Sequence, residues 1–144
     1  YKEPLKRLLK YGMIPVVYGD VVLDTVRGCS ILSTEEIFDH LAREINPYKV
    51  IYAFDLDGAY DRDPKTSSDA KLIPEITLKN YHELRKAFGD SAGIDATGGM
   101  AHKISKCMEL AEMGIKSYLI NGLVENRVRD ALKGTEVVGT VLYK

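Results

Sequence analysis

An α/β three-layer sandwich with a mainly parallel central sheet is the fold class that this sequence predicts. Three observations lead there. Strand-like segments alternate with segments of helical periodicity along the chain. The strand-like segments at 49–54 and 116–120 are apolar at adjacent positions, as in strands that helices cover on both faces. The 144 residues, 45% of them apolar, suit one domain with an ordinary core and leave no room for two large ones.

The elements follow in order. Pro4 suits the first turn of a helix with Leu5, Leu8 and Leu9 on its apolar side, and Gly12 stops it. Residues 13–18 read as a buried strand ending at Gly19-Asp20, and 21–23 and 30–32 as short strands around a turn at Arg27-Gly28. Ser33-Thr34-Glu35-Glu36 is a capping box, opening a helix with Ile37, Phe38, Leu41, Ala42 and Ile45 at helical spacing until Asn46-Pro47. After the strand at 49–54 and the turn Asp55-Leu56-Asp57-Gly58, residues 61–69 form a polar loop. Thr77 caps a helix reaching about Phe88 and closed by Gly89. A glycine-rich stretch, residues 93–99, leads into a helix bearing Ile104, Cys107, Met108 and Ala111 and stopped by Gly114. A strand at 116–120, a helix at 126–133 and a strand at 137–142 complete the order, with no internal repeat or linker.

Composition excludes several classes. Twenty basic side chains against 21 acidic ones, a net charge of -1, provide no electrostatic attraction for nucleic acid or an anionic membrane. No apolar run reaches the ~18 residues of a membrane span, and no signal peptide opens the sequence. Cys29 and Cys107 form no metal-ligand spacing and are expected as two buried reduced thiols. His40, His82 and His102 read as surface residues, and Tyr18, Tyr48, Tyr52 and Tyr118 as packing beside strands. No metal-ligating cluster is expected. A cytoplasmic enzyme or binding domain fits these totals.

Two constellations could carry chemistry. Gly98-Gly99 opens a helix with Lys103 one turn inside: the glycines let amides approach an anion, and the lysine adds a mobile charge suited to a phosphate. The Walker A spacing is absent, and a plain helix start beside a solvated lysine is the competing reading. Asp55-Leu56-Asp57-Gly58 follows a buried strand, where open α/β sheets carry ligands, although a tight turn uses the same residues. The FDLDG string is also similar to the nucleophile motif of haloacid-dehalogenase-type phosphatases, with Gly89-Asp90-Ser91 and Asp95 imitating their late metal motif. Ala59 after the glycine and a separation of only about thirty residues between the motifs count against that. Glu35 and Glu36 stand where acids favour any helix start.

Taken in order, the pieces resemble the amino acid kinase superfamily and, within it, the isopentenyl phosphate kinases. The resemblance runs through residues 12–21 (GMIPVVYGDV), 31–37 (ILSTEEI) and 53–60 (AFDLDGAY), then Asp63-Pro64-Lys65. It continues through residues 95–100 (DATGGM) with Lys103, Ile120-Asn121-Gly122 and Gly139-Thr140-Val141. It implies an amino acid kinase-like fold and phosphoryl transfer from Mg-ATP to isopentenyl phosphate, with ATP and Mg2+ as cofactors. By the same resemblance Asp55, Leu56, Asp57, Gly58 and Tyr60 lie beside the adenosine part, and Gly98, Gly99 and Lys103 meet the phosphates. Glu35 would orient the catalytic lysines and Thr34 would lie near the acceptor phosphate. Three positions depart from the pattern: STEE replaces the usual SGDD, Phe54 a threonine and Ala96 a valine.

The resemblance also implies that residues 1–144 are the nucleotide-binding C-terminal half. The N-terminal half, with its glycine-rich loop and acceptor-binding histidine, would be a segment not represented here, and the first residue is Tyr1 rather than Met. Alone, the chain is expected to bind ATP without useful turnover. Homodimerisation is common in the superfamily. The rival readings are a superfamily kinase acting on acetylglutamate, UMP or a phosphonate, and a non-catalytic nucleotide-sensing domain.

Overall fold

The computed structural model describes residues 2–87 and 99–144. It falls into two compact units, Tyr1–Leu41 and Ala42–Lys144.

In the first unit, helix α1 (Lys2–Lys10) ends as its glycine predicts. Gly12 takes φ 72°, its N–H donates to Leu9 O at 3.0 Å, and Met13 N–H donates to Leu8 O at 3.0 Å. The expected strand at residues 13–18 does not form. Its sequence has strand character, but a strand persists only where a neighbour takes its N–H and C=O groups, and no ladder reaches it among the described residues. Pro15 removes a donor as well. Ile14 and Val16 are each 88% exposed, and Tyr18, expected to pack, is 75% exposed.

Strands β1 (Asp20–Asp24) and β2 (Gly28–Leu32) form an antiparallel hairpin, Val22 opposite Ser30, and extend beyond the expected limits. The Asp24 carboxylate accepts from the amides of Arg27 and Val26, which holds its carboxyl below the usual range. Cys29, expected buried, is exposed because it lies on this two-stranded hairpin. The capping box at the start of α2 (Thr34–Ile45) is present: Glu36 N donates to Ser33 Oγ at 3.2 Å, and Ser33 N to Glu36 Oε2 at 3.0 Å.

The second unit is built on a sheet in the order β3-β5-β6-β4. Strand β3 (Lys49–Phe54) runs parallel to β5 (Lys116–Asn121), and β4 (Glu75–Thr77) runs parallel to β6 (Gly139–Tyr143). The β5–β6 pair is antiparallel, so two of the three pairings are parallel. Side-chain alternation separates the helices. The face of β3 and β5 bearing Val50, Tyr52 and Ser117 meets α4 (Gly99–Glu112), through Leu110 and Cys107. The opposite face carries Lys49 and Tyr118, and Lys49 Nζ donates to the Ala131 carbonyl of α5 (Arg127–Lys133). Helix, sheet and helix therefore form the expected three layers. The core gathers Ile104, Cys107, Leu110, Ile115, Leu119, Ile120 and Leu142, each at most 2% exposed.

Several boundaries differ from expectation. Thr77 ends a strand instead of capping a helix. It exchanges bonds with Asn80, and α3 (Tyr81–Ala87) begins after them. Nothing in the sequence pattern marks residues 75–77 as the strand β4 that they form. Helix α5 begins at Arg127 rather than at Asn126, and β6 begins at Gly139 rather than at Val137. Tyr48 lies outside the packed sheet, 90% exposed. Burial of Cys107 pushes its thiol up to about 12, offset in part by the nearby Ser117 and Tyr52 hydroxyls and by the Lys103 charge.

Candidate functional site

The segment after β3 is the best-defined candidate. It leaves the sheet at Phe54, which is paired with Asn121 of β5, so the loops after both strands emerge side by side. Gly122 N donates to Phe54 O at 2.8 Å and ties the two exits together. Asp55 is exposed and pairs with Lys65 at 3.5 Å; Leu56 is half-buried. Gly58 is buried against β6, where a Cβ would stand 2.5 Å from Thr140 Oγ1 and 2.8 Å from Thr140 N. Only glycine fits that approach. Thr140 Oγ1 accepts from Ala59 N at 2.8 Å and donates to the Ile73 carbonyl at 2.6 Å. Beyond it, Ile73 N donates to Ala59 O at 2.8 Å and Asp61 N to Lys71 O at 3.0 Å, making a short antiparallel brace. Tyr60 is bridged to Leu72 within it.

Asp57 is ion-paired with Arg127 at the start of α5. Tyr60 lies in the field of both. Burial chiefly, and then the Asp57 charge, raise its hydroxyl pKa, while Arg127 pulls it down. The result is a carboxylate, a guanidinium and a phenol on a rigid, glycine-lined platform at the carboxyl ends of two parallel strands. That is where open α/β sheets hold ligands, and the carboxylate suits a ligand's hydrogen-bond donors.

The other predicted residues fall elsewhere. Lys103 sits one turn inside α4, half-buried, one turn before Cys107 on the same helix face, where its charge acts on that thiol. No acid stands in the first turn of α4 to neutralise its positive end. Gly99 is the first residue of α4, whereas Gly98 lies outside the described residues, as do Gly89, Asp90, Ser91 and Asp95. Thr34 and Glu35 belong to the first unit, at the start of α2, where Thr34 Oγ1 accepts from Gly19 N at 3.2 Å. Among the described residues, no group of three or more His, Cys, Asp or Glu side chains could hold a metal ion. Two residues had no role in the sequence reading. Thr140 lay in the Gly-Thr pair without a stated function. Arg127 carried a readable signal, a cation at a helix start where the backbone already presents positive charge.

The profile of the Amino acid kinase family matches residues 2–121. The chain belongs to the amino acid kinase family. Among its amino acid kinase relatives, the isopentenyl phosphate kinase of Methanothermobacter thermautotrophicus is 40% identical over 138 residues, 94% of this chain and 51% of that protein. The isopentenyl phosphate kinase of Arabidopsis thaliana is 36% identical over 135 residues, 85% of this chain and 40% of that protein. An X-ray structure of isopentenyl phosphate kinase superposes with a TM-score of 0.78 at 35% identity, covering 98% of this chain and 50% of that one. The chain thus spans about half the length of the curated relatives it matches. Membership confirms the amino acid kinase-like α/β fold and sets aside the dehalogenase-type reading of FDLDG. Among the described residues, no helix is long and apolar enough to cross a membrane.

Proposed function

We propose that this chain supplies the ATP-binding half of a kinase that phosphorylates isopentenyl phosphate to isopentenyl diphosphate, a step of isoprenoid synthesis. The observation that carries the reading is likeness to isopentenyl phosphate kinases over nearly the whole chain. The strand-end platform supports it. Asp55, Leu56, Asp57, Gly58 and Tyr60 take the nucleoside side. Gly98, Gly99 and Lys103 take the phosphates, with the N-terminus of α4, whose first turn carries no acidic residue, adding favourable potential. Glu35 orients the cationic groups and Thr34 lies near the acceptor phosphate. Such a site works by alignment and charge neutralisation, with no covalent enzyme intermediate. Mg2+ enters as the counter-ion of ATP, neutralising charge on its phosphates.

The partner of this half is the remainder of the protein, which holds the acceptor. No described residue of the first unit is fully buried, and Ile14, Val16, Leu23 and Val26 are each at least 88% exposed, as expected of a face that the other half covers. The exposed free thiol of Cys29 suits a reducing, cytoplasmic compartment. The test is ADP release by the chain joined to its native upstream segment, with Mg-ATP and isopentenyl phosphate. Release that depends on this acceptor supports the reading. Release only with acetylglutamate, UMP or a phosphonate moves it to another acceptor, and ATP binding without transfer to any of them leaves a sensing domain.

A further inference from the structure

The start of α5 runs against local stability. Asn126, at the N-cap position, takes the left-handed φ of 63°, a conformation that asparagine accepts more readily than other non-glycine residues. Its side chain makes no capping bond. Arg127 then places a cation at the positive end of the helix, yet its side chain is only 14% exposed. Local rules broken together at one place mark a position held for something other than stability. The compensating contact is the pair between Arg127 Nη1 and Asp57 Oδ1.

That pair uses one carboxylate oxygen. Asp57 Oδ2 makes no hydrogen bond among the described residues, and the side chain keeps 36% exposure. The far end of α5 closes on its own Gly134 cap and is tied to β3 by Lys49 Nζ on the Ala131 carbonyl. Arg127 therefore projects from a helix clamped at its other end.

We infer that Arg127 is a positioning residue of the nucleotide site: it fixes the Asp57 carboxylate so that Oδ2 faces the ligand. This rests on the reading of residues 55–60 as the nucleoside side of that site. An ionised carboxylate only accepts hydrogen bonds and repels phosphate, so the group it meets is a hydroxyl or amino group of the nucleoside. Without Arg127, Asp57 turns among rotamers and meets that group part of the time.

The experiment is steady-state kinetics of the enzyme completed by its native upstream segment, with ATP varied. Arg127→Met is expected to raise KM for ATP about tenfold with kcat within about twofold, the pattern of lost ground-state binding. Asp57→Asn should do the same, and the double variant should be no worse than either alone, since both remove one arrangement. If Arg127→Met does not fold, Arg127→Lys carries the test, with a KM rise of about threefold expected from its single mobile charge. A wild-type KM in the Arg127 variant that folds, alongside a raised KM in Asp57→Asn, overturns the positioning role and leaves the nucleotide reading standing. So does a fall in kcat and melting temperature at unchanged KM. An unchanged KM in Asp57→Asn removes the nucleoside reading of the loop, and this inference with it.

Discussion

Replacing Thr140 by valine separates hydrogen bonding from packing as the force that holds the strand-end loop. Thr140 is fully buried, and its hydroxyl is the shared partner of the Ala59 amide at 2.8 Å and the Ile73 carbonyl at 2.6 Å. Valine keeps the shape and loses both bonds. The Ala59 amide, in a residue with 0% exposure, is left without a partner, at a cost of about 1–3 kcal/mol. Ile73 is only half-buried, so its carbonyl can turn to water and costs less. Set against a gain of under about 1 kcal/mol for the extra methyl group, the net loss is about 2 kcal/mol. Thr140→Ser keeps both bonds and gives up one methyl, about 1 kcal/mol. With a urea m-value of about 2 kcal/mol per molar, the valine midpoint falls by about 1 M and the serine midpoint by about half as much. Amide exchange at Ala59 adds a local readout: faster in the valine variant, near wild type in the serine variant. A serine variant less stable than the valine one, with Ala59 protected equally in both, would refute the argument and give the role to packing.

Lys103→Ala in the complete enzyme should lower kcat about 100-fold while moving the melting temperature by no more than a few degrees; unchanged kcat removes Lys103 from the chemistry. Glu35→Gln should reduce turnover about tenfold, and a change confined to melting temperature would assign Glu35 to the helix start instead. Native protein at pH 8 should react with one equivalent of a thiol reagent, at exposed Cys29, and with a second only on unfolding, because Cys107 is held neutral up to about pH 12. The same shift has a signed consequence for stability. The unfolded thiol ionises near its ordinary value of 9.0 while the folded one stays protonated, so the folded state binds more protons in that window. Stability is therefore intact below about pH 9 and falls by up to about 1.4 kcal/mol per unit between there and pH 12. The Cys107→Ala variant should lose that slope.

Much of the fold was legible because local and tertiary signals agreed. The Ser33–Glu36 capping box, the Gly12 and Gly114 stops and the apolar strands expected at 49–54 and 116–120 all stand where their chemistry points, the second strand running one residue further, to Asn121. The failures are contacts with distant partners. Residues 13–18 look like a strand, but nothing in their own sequence tells whether a neighbour will pair with them. Strand β4 has three residues, one of them buried, and exists because β6 takes its bonds. The site divides likewise. Spacing and resemblance single out Asp55-Leu56-Asp57-Gly58 and Lys103, and the first four stand directly after β3, as the apolar run before them indicates. Arg127 and Thr140 lie about 70 and 80 residues beyond the loop they hold, so only the folded chain brings them to it.

The placement of β6 has a consequence for biosynthesis. It is made after β3, β4 and β5 yet lies between two of them in the sheet, with β5 on one side and β4 on the other. Until residues 139–143 leave the ribosome, β4 has no ladder, the Gly58 loop has no Thr140 to rest on, and the flank of β5 is bare. A nascent chain must hold this half-made sheet open and out of reach of other strand edges, so slow decoding or early termination before Gly139 would produce aggregation-prone chains rather than a shortened enzyme.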